Sequence, residues 1–328
     1  MVFETHTTAV ARRLEGLLGP TVEASTMPIS DKTIWSFWHS GSSQLSPLHR
    51  LCVASWRANN PGWDIRIIDR NNVYSYVPPS ELPVGWEQIE TPQHQADAAR
   101  LAVLKRYGGV YIDISVILLR NLDTFLWQGL VENRYGYFGF YDPEFGLNGV
   151  GKEYVVVWFM ATQKGNPFIA RWHEVFCQLM ANRSSVDNIS QHPLLRDIET
   201  FIPEKYKNYL AMQALLKRLI DTEPAMRSYW QDKFKLLDCF ESGFKWRVVL
   251  DALDWYAEDE MDGLIRPNPP ESQWTALQNV PLFKLNNVGG RLNSCIYDEL
   301  LHSDNVIARI FSKALDLEFA TLIQHKKS

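Results

Sequence analysis

An α/β fold, with a mainly parallel sheet flanked by helices and a largely helical C-terminal elaboration, is predicted by three observations. A strand–helix–strand pattern occupies residues 34–68, as in a βαβ unit. A helical stretch over 92–107 runs through Gly108-Gly109 straight into a β-rich segment. From about 166 to 265 the pattern is mostly helical, without repeats or a low-complexity linker.

The elements follow in order. Residues 1–30 form an N-terminal extension with a short helix over 9–18, closed by Gly19-Pro20. Ile34-Trp35-Ser36-Phe37-Trp38 is a buried strand running into a small-residue loop at Ser40-Gly41. A helix over 47–58 carries Leu48, Leu51, Cys52 and Ser55 on one face and stops at Asn59-Asn60-Pro61-Gly62; residues 63–68 form the second strand. Residues 71–91, with Pro78, Pro79 and Pro83, read as a surface excursion. A continuous β run over 110–119, strands at 135–140 and 154–161 and a helix over 167–180 come next. Residues 267–281 are loop-like, 282–286 a short strand, and 305–324 a closing amphipathic helix. Residues 31–328 are expected to be one domain, in which 31–165 is the ligand-binding half and 166–328 a helical half.

Composition narrows the function. A chain of 328 residues with 46% hydrophobic residues, 12 Trp, 13 Tyr and 16 Phe can bury a large core. A net charge of -5 without a basic face gives no reason to expect nucleic acid as a partner. The four cysteines lie far apart with no CxxC pair, so reduced core thiols are expected rather than a disulfide framework or structural zinc. No apolar stretch approaches the roughly 20 residues of a spanning helix, and a soluble, cytoplasmic chain is expected.

The chemistry concentrates between Asp97 and Asp113. Asp97, Arg100, Leu101 and Leu104 are spaced i, i+3, i+4, i+7 and share one helical stripe, so two opposite charges are held near a face that should meet the sheet. An ion pair pinning the helix is the ordinary reading of such a pair. After Gly108-Gly109, an extended chain would point Tyr111, Asp113 and Ser115 one way and Val110, Ile112 and Ile114 into the core. A carboxylate at a strand end in an open α/β sheet lies where such sheets bind ligands, although many strand-end aspartates only form turns. It could hold a divalent cation on a diphosphate, or accept hydrogen bonds from sugar hydroxyls.

Ala96-Asp97-Ala98-Ala99-Arg100 followed by Leu104-Lys105-Arg106-Tyr107-Gly108-Gly109-Val110-Tyr111-Ile112-Asp113-Ile114-Ser115 resembles the core motif of the sugar-binding-region glycosyltransferases, A-D-x-x-R then Y-G-G-x-Y-x-D-x-D. These include the glycosyltransferase family 32 enzymes, the clostridial toxin glucosyltransferases and the capsular polysaccharide synthesis proteins. Residues 34–41, 158–168 and 281–285 are similar to flanking segments of that group. The resemblance implies a GT-A-like fold and transfer of a hexose from a nucleotide-sugar donor, a UDP-sugar ahead of a GDP-sugar, with retention. The acceptor would be a small molecule, a lipid-linked intermediate or a glycan. It also implies roles: Trp38 stacking on the base, Asp97 accepting from donor-sugar hydroxyls, Arg100 reaching the sugar or diphosphate, Tyr111 lining ribose or base, and Asp113 binding ribose and a metal.

The sequence departs from the motif at one position. The second acid of D-x-D is Ser115, a neutral and weak ligand, although the capsular branch often carries a hydroxyl residue there. Either Mn²⁺ or Mg²⁺ would then bind Asp113 and Ser115 with fewer charges, or another acid or amide from the C-terminal half, such as Asn286, Asn287 or Asp298, would help. Alternatively, Lys284 or Arg291 would supply part of the metal's charge at the diphosphate. Two other functions remain open: a non-catalytic nucleotide-sugar-binding or lectin-like module, and a metal-assisted phosphoesterase. The aromatics Trp230, Phe234, Phe240, Phe244, Trp246, Trp255 and Tyr256 are candidates for an apolar acceptor pocket as well as for ordinary core.

Overall fold

The structure, a computed structural model, describes residues 13–18, 28–144, 154–185, 187–196, 206, 208–252, 262–286 and 291–317. Residues 13–18 are helical; the rest of the expected first helix, residues 9–12, lies outside the described residues. So do Trp255, Tyr256, Asn287 and residues 318–324 of the expected closing helix.

The main sheet contains β1 (Thr33–Phe37), β2 (Asp64–Ile68), β3 (Gly108–Ile112), β5 (Tyr137–Tyr141), β6 (Val155–Gln163) and β7 (Phe234–Asp238), in the order β2-β1-β3-β6-β5-β7. The β1–β2, β1–β3 and β5–β7 pairs are parallel, whereas β6 runs antiparallel to both neighbours. The α/β expectation holds, with β6 as the strand that makes the sheet mixed. β1 lies between two strands, and all five of its residues are buried, so it needs no polar face. The Trp35 indole donates to the Gly108 carbonyl at 3.0 Å, tying β1 to the start of β3.

Helix α1 (Pro47–Asn59) begins where its sequence says it should. Ser46 caps the His49 amide and Pro47, lacking an N–H, fills the first turn. Its Trp56 indole donates to the Val116 carbonyl at 2.7 Å. Helix α2 (Pro92–Tyr107) differs from the expected single stripe: all residues from His94 to Leu104 are buried. It is packed on one side by β1 and β3 and on another by the helix Pro167–Met180. Such all-round burial leaves no solvated face for its polar residues, which must find partners inside the protein. Gly108 and Gly109 follow with φ of 72° and 97°, and a Cβ at either would collide with the backbone of Lys164 or Thr33. Both positions therefore require glycine on conformational and steric grounds.

The expected β run over 110–119 is two strands. β3 stops at Ile112; Asp113-Ile114-Ser115 turns, with the Val116 amide donating to the Asp113 carbonyl at 3.1 Å. β4 (Val116–Leu118) then pairs antiparallel with β8 (Leu282–Lys284) in a separate two-stranded ribbon. Asp113 and Ser115 thus belong to a turn and not to one strand face. Other expectations are corrected nearby. Residues 71–91 are irregular as predicted but bury Val73, Tyr76, Val77, Leu82, Trp86 and Ile89. The stretch expected to be mostly helical contributes β7 to the sheet edge, and residues 267–281 include the helix Glu271–Leu277. The closing helix begins as predicted, with Asn305 capping Val306–Leu315, and Asp316 ends it in the left-handed conformation at φ 54°.

Candidate donor-binding crevice

Strand order places the site. From β1 the chain crosses to β2 on one side and then returns to β3 on the other, so the connections diverge at the carboxyl ends of β1 and β3. Open α/β sheets bind ligands at such a switch point. Trp38 leaves the end of β1 there, and Asp113 leaves the end of β3. Trp38 is partly buried beside His49, ring centroids 4.7 Å apart, and among the described residues its indole N–H has no partner. The Asp113 backbone is anchored by its amide, which donates to the Trp158 carbonyl of β6 at 2.8 Å.

Four charges alternate beside this switch point. Arg100 lies 3.3 Å from Asp97 and 3.3 Å from Asp113; Lys284 lies 3.5 Å from the other oxygen of Asp113. Arg100 also donates to the Val157 carbonyl at 2.7 Å and to the Tyr111 hydroxyl at 3.4 Å, with its guanidinium carbon 4.4 Å from the Tyr111 ring centroid. Two acids and two bases cancel, which is how charges can remain buried without a large desolvation cost. The four are not equally buried. The Asp113 side chain is 31% exposed, against 6% for Arg100 and 10% for Lys284, so Asp113 is the member most accessible from outside.

The electrostatics follow from that placement. Burial pushes the Asp97 carboxyl above its usual range, with Arg100 opposing the shift. Burial works against the charged form of Arg100, but Tyr111, Asp97 and Asp113 outweigh it and hold the guanidinium above its ordinary value. Burial lowers Lys284 while Asp113 raises it, the net direction being down. His49 is pushed down to about 4, first by burial and then by the Lys284 charge. Tyr209 stands at the rim, half exposed; burial and the Asp97 and Asp113 carboxylates push its phenol up.

The structure brings together Asp97, Arg100, Tyr111, Asp113, Ser115 and Lys284, and sets Trp38 on the neighbouring strand end. Tyr111 is 1% exposed and bonded by Arg100, so it supports the floor and does not line an open surface. Arg291 is held on the surface by Glu299 at 2.8 Å, so of the two candidate cations only Lys284 meets Asp113. Asp298 is exposed at the start of the helix Tyr297–Leu301. Phe240, Phe244 and Trp246 are buried; Trp246 donates to the Lys284 carbonyl at 2.8 Å and so positions that strand. Three residues were not singled out from sequence: His49, Tyr209 and His94. His94 is fully buried, and among the described residues neither of its ring nitrogens has a partner. Their types and spacings form no motif; only the fold gathers them.

A divalent cation does not fit this donor set well. Asp113 is the only carboxylate at the turn, and the Ser115 hydroxyl is already engaged, donating to the Leu285 carbonyl at 3.0 Å and accepting from Lys284 at 2.7 Å. Among the described residues no group of three or more His, Cys, Asp or Glu side chains is gathered, so no metal cage is built from protein side chains alone.

The mixed sheet with flanking helices, and a chain of paired charges beside its first crossover, define the protein as an α/β fold with a candidate ligand site at the switch point. The chain belongs to the capsular polysaccharide synthesis protein family, which it matches over residues 17–198, more than half its length. Two curated relatives are fungal. The O-glycosyltransferase braB of Annulohypoxylon truncatum is 29% identical over 68% of this chain and 60% of its own. The glycosyltransferase afumC of Aspergillus fumigatus is 29% identical over 70% of this chain and 65% of its own. The chain thus spans less than two thirds of the length of either relative. Among solved structures, the PaToxG glycosyltransferase overlays on 94% of each chain at 13% identity and a TM-score of 0.34. Among the described residues no helix is long and apolar enough to cross a membrane.

Proposed function

We propose that the chain is a glycosyltransferase that moves a hexose from a nucleotide-sugar donor, a UDP-sugar in preference to a GDP-sugar, to a small-molecule, lipid-linked or glycan acceptor with retention of configuration. The observation that carries this reading is the meeting of Trp38 and the Asp97–Arg100–Asp113–Lys284 chain at the β1–β3 switch point. Family membership and the names of the fungal relatives support it. In this reading the base stacks on Trp38, the ribose hydroxyls donate to Asp113, and the diphosphate lies towards Lys284. Asp97 accepts from donor-sugar hydroxyls, and Arg100, in contact with both carboxylates, fixes them in place.

The chemistry then balances without a protein nucleophile. The bond from the anomeric carbon to the diphosphate oxygen breaks, the acceptor oxygen bonds that carbon from the same face, and the acceptor proton passes to the departing diphosphate. Negative charge grows on the leaving group, and a fixed cation beside it lowers the barrier.

The test is a thermal-shift panel of UDP, GDP and their sugars with and without Mn²⁺, followed by donor hydrolysis. A ligand that binds the folded state at 100 times its Kd stabilises it by about 2.7 kcal/mol, enough to raise Tm measurably. One base is expected to stabilise the chain, and Asp113→Asn to slow hydrolysis of the matching nucleotide-sugar by about a hundredfold, the scale of one lost electrostatic contact. Nucleotide binding without turnover would favour the binding-module reading; no nucleotide binding at all would reject both.

A further inference from the structure

The geometry points to Lys284 as the residue that takes the place of the divalent cation, so that donor binding and diphosphate departure proceed without a metal. This rests on the donor site proposed above. By the family resemblance, the two acid positions of the D-x-D motif are those that would hold a metal. Here those residues are Asp113 and Ser115, and the Lys284 ammonium lies between them, 3.5 Å from Asp113 Oδ2 and 2.7 Å from Ser115 Oγ. Any ion bridging the same two oxygens at metal–oxygen distances of about 2.0–2.6 Å would have to displace a buried positive charge.

The lysine is held by its surroundings as much as by its charge. Its backbone amide donates to the Gly243 carbonyl at 2.7 Å, and its carbonyl accepts from the Trp246 indole at 2.8 Å. On either side of it, β8 pairs with β4, and the Leu285 amide donates to the Ser115 carbonyl at 2.9 Å. The ammonium donates to the Leu285 carbonyl at 2.9 Å as well as to Ser115. Two of its three N–H bonds are thereby satisfied within the protein, and the third is directed to the exposed side, where Asp113 lies. The serine in place of the second acid also has a reason. An aspartate at 115 would sit against the Leu285 carbonyl that Ser115 now donates to, whereas a hydroxyl can donate to that carbonyl and accept from the lysine together. Ser115 and Lys284 are complementary halves of one substitution, a neutral donor–acceptor and a fixed cation in place of an acid and a metal.

Calorimetric titration of UDP and of GDP into the intact chain tests this, in EDTA and in Mn²⁺. The expected result is binding of one nucleotide with a Kd that agrees within about twofold in the two buffers, and donor hydrolysis that survives EDTA. Binding tightened by Mn²⁺ about tenfold or more would overturn the inference and leave the donor site standing. Failure of both nucleotides to bind in either buffer would overturn the donor site and this inference with it. Lys284→Met should weaken binding about tenfold with no recovery on adding Mn²⁺. The pair Ser115→Asp with Lys284→Met should restore binding only in Mn²⁺, with the bound ion visible by electron paramagnetic resonance. A Lys284→Met protein that binds as tightly as the parent would equally overturn the inference. Because the parent-chain titration needs no variant, a substitution that failed to fold would leave the test intact.

Discussion

Arg100 and Lys284 both pair with Asp113, yet one comes from 13 residues before it and the other from 171 after. Arg100 is embedded on a helix buried all round, and it bonds two acids, a carbonyl and a phenol. Lys284 sits at the end of a three-residue strand, buried, bonded to a hydroxyl and a carbonyl and paired with the more exposed Asp113 carboxylate. The near cation bridges both acids, whereas the distant cation meets Asp113 alone and ties it to Ser115. The difference teaches that two like charges in one site can serve two ends, architecture in one residue and, in the reading proposed here, chemistry in the other.

Substitutions should separate the two. Arg100→Met strands Asp97 and Asp113 together in a buried site, and loss of one partner from a buried ion pair costs roughly 3–5 kcal/mol. Chemical denaturation should therefore show the largest drop in stability there. If the two roles were alike, Lys284→Met would match it; instead, Asp113 keeps Arg100 and is partly exposed, so the loss should be smaller, about 1–2 kcal/mol.

The next effect is in acid. The His49 ring titrates near 6.5 in an unfolded chain and at about 4 in the folded one, where burial and the facing Lys284 disfavour its charge. Between those values the unfolded chain binds the extra proton, so stability should fall as pH drops from 6.5 towards 4, by roughly 3 kcal/mol in all. His49→Gln should flatten that part of the stability–pH curve; an unchanged slope would place the acid sensitivity elsewhere. Smaller again is Gly109→Ala, which forces a methyl against Thr33 at a positive φ; a loss of about 2 kcal/mol is expected from unfolding curves.

Much of the near region was legible in the sequence because its determinants are local. Pro92 at the first turn, the i, i+3 charges and the two glycines set α2, its ion pair and the entry into β3 by short-range geometry alone. The turn at 113–115 was not legible. Val110 to Leu119 is apolar almost throughout, with no proline or glycine to mark a break, and the chain leaves the first sheet there only because β8 offers 116–118 a partner. β7 was hidden in the same way, since its edge position beside β5 depends on a distant pairing. Lys284 entered through a family resemblance, and only the fold shows which oxygens it meets. Tyr209 and His49 reach the crevice through packing that no spacing encodes.

The central claim, that nucleotides bind where β1 and β3 diverge, is tested most directly by titrating UDP and GDP into the parent chain and into Trp38→Ala. A base stacked on an aromatic side chain contributes about 1–3 kcal/mol, so the substitution should weaken binding of the preferred nucleotide by tenfold or more at a temperature where both proteins are folded. Equal affinity in the two proteins would contradict the placement of the base and move the donor site away from this strand end.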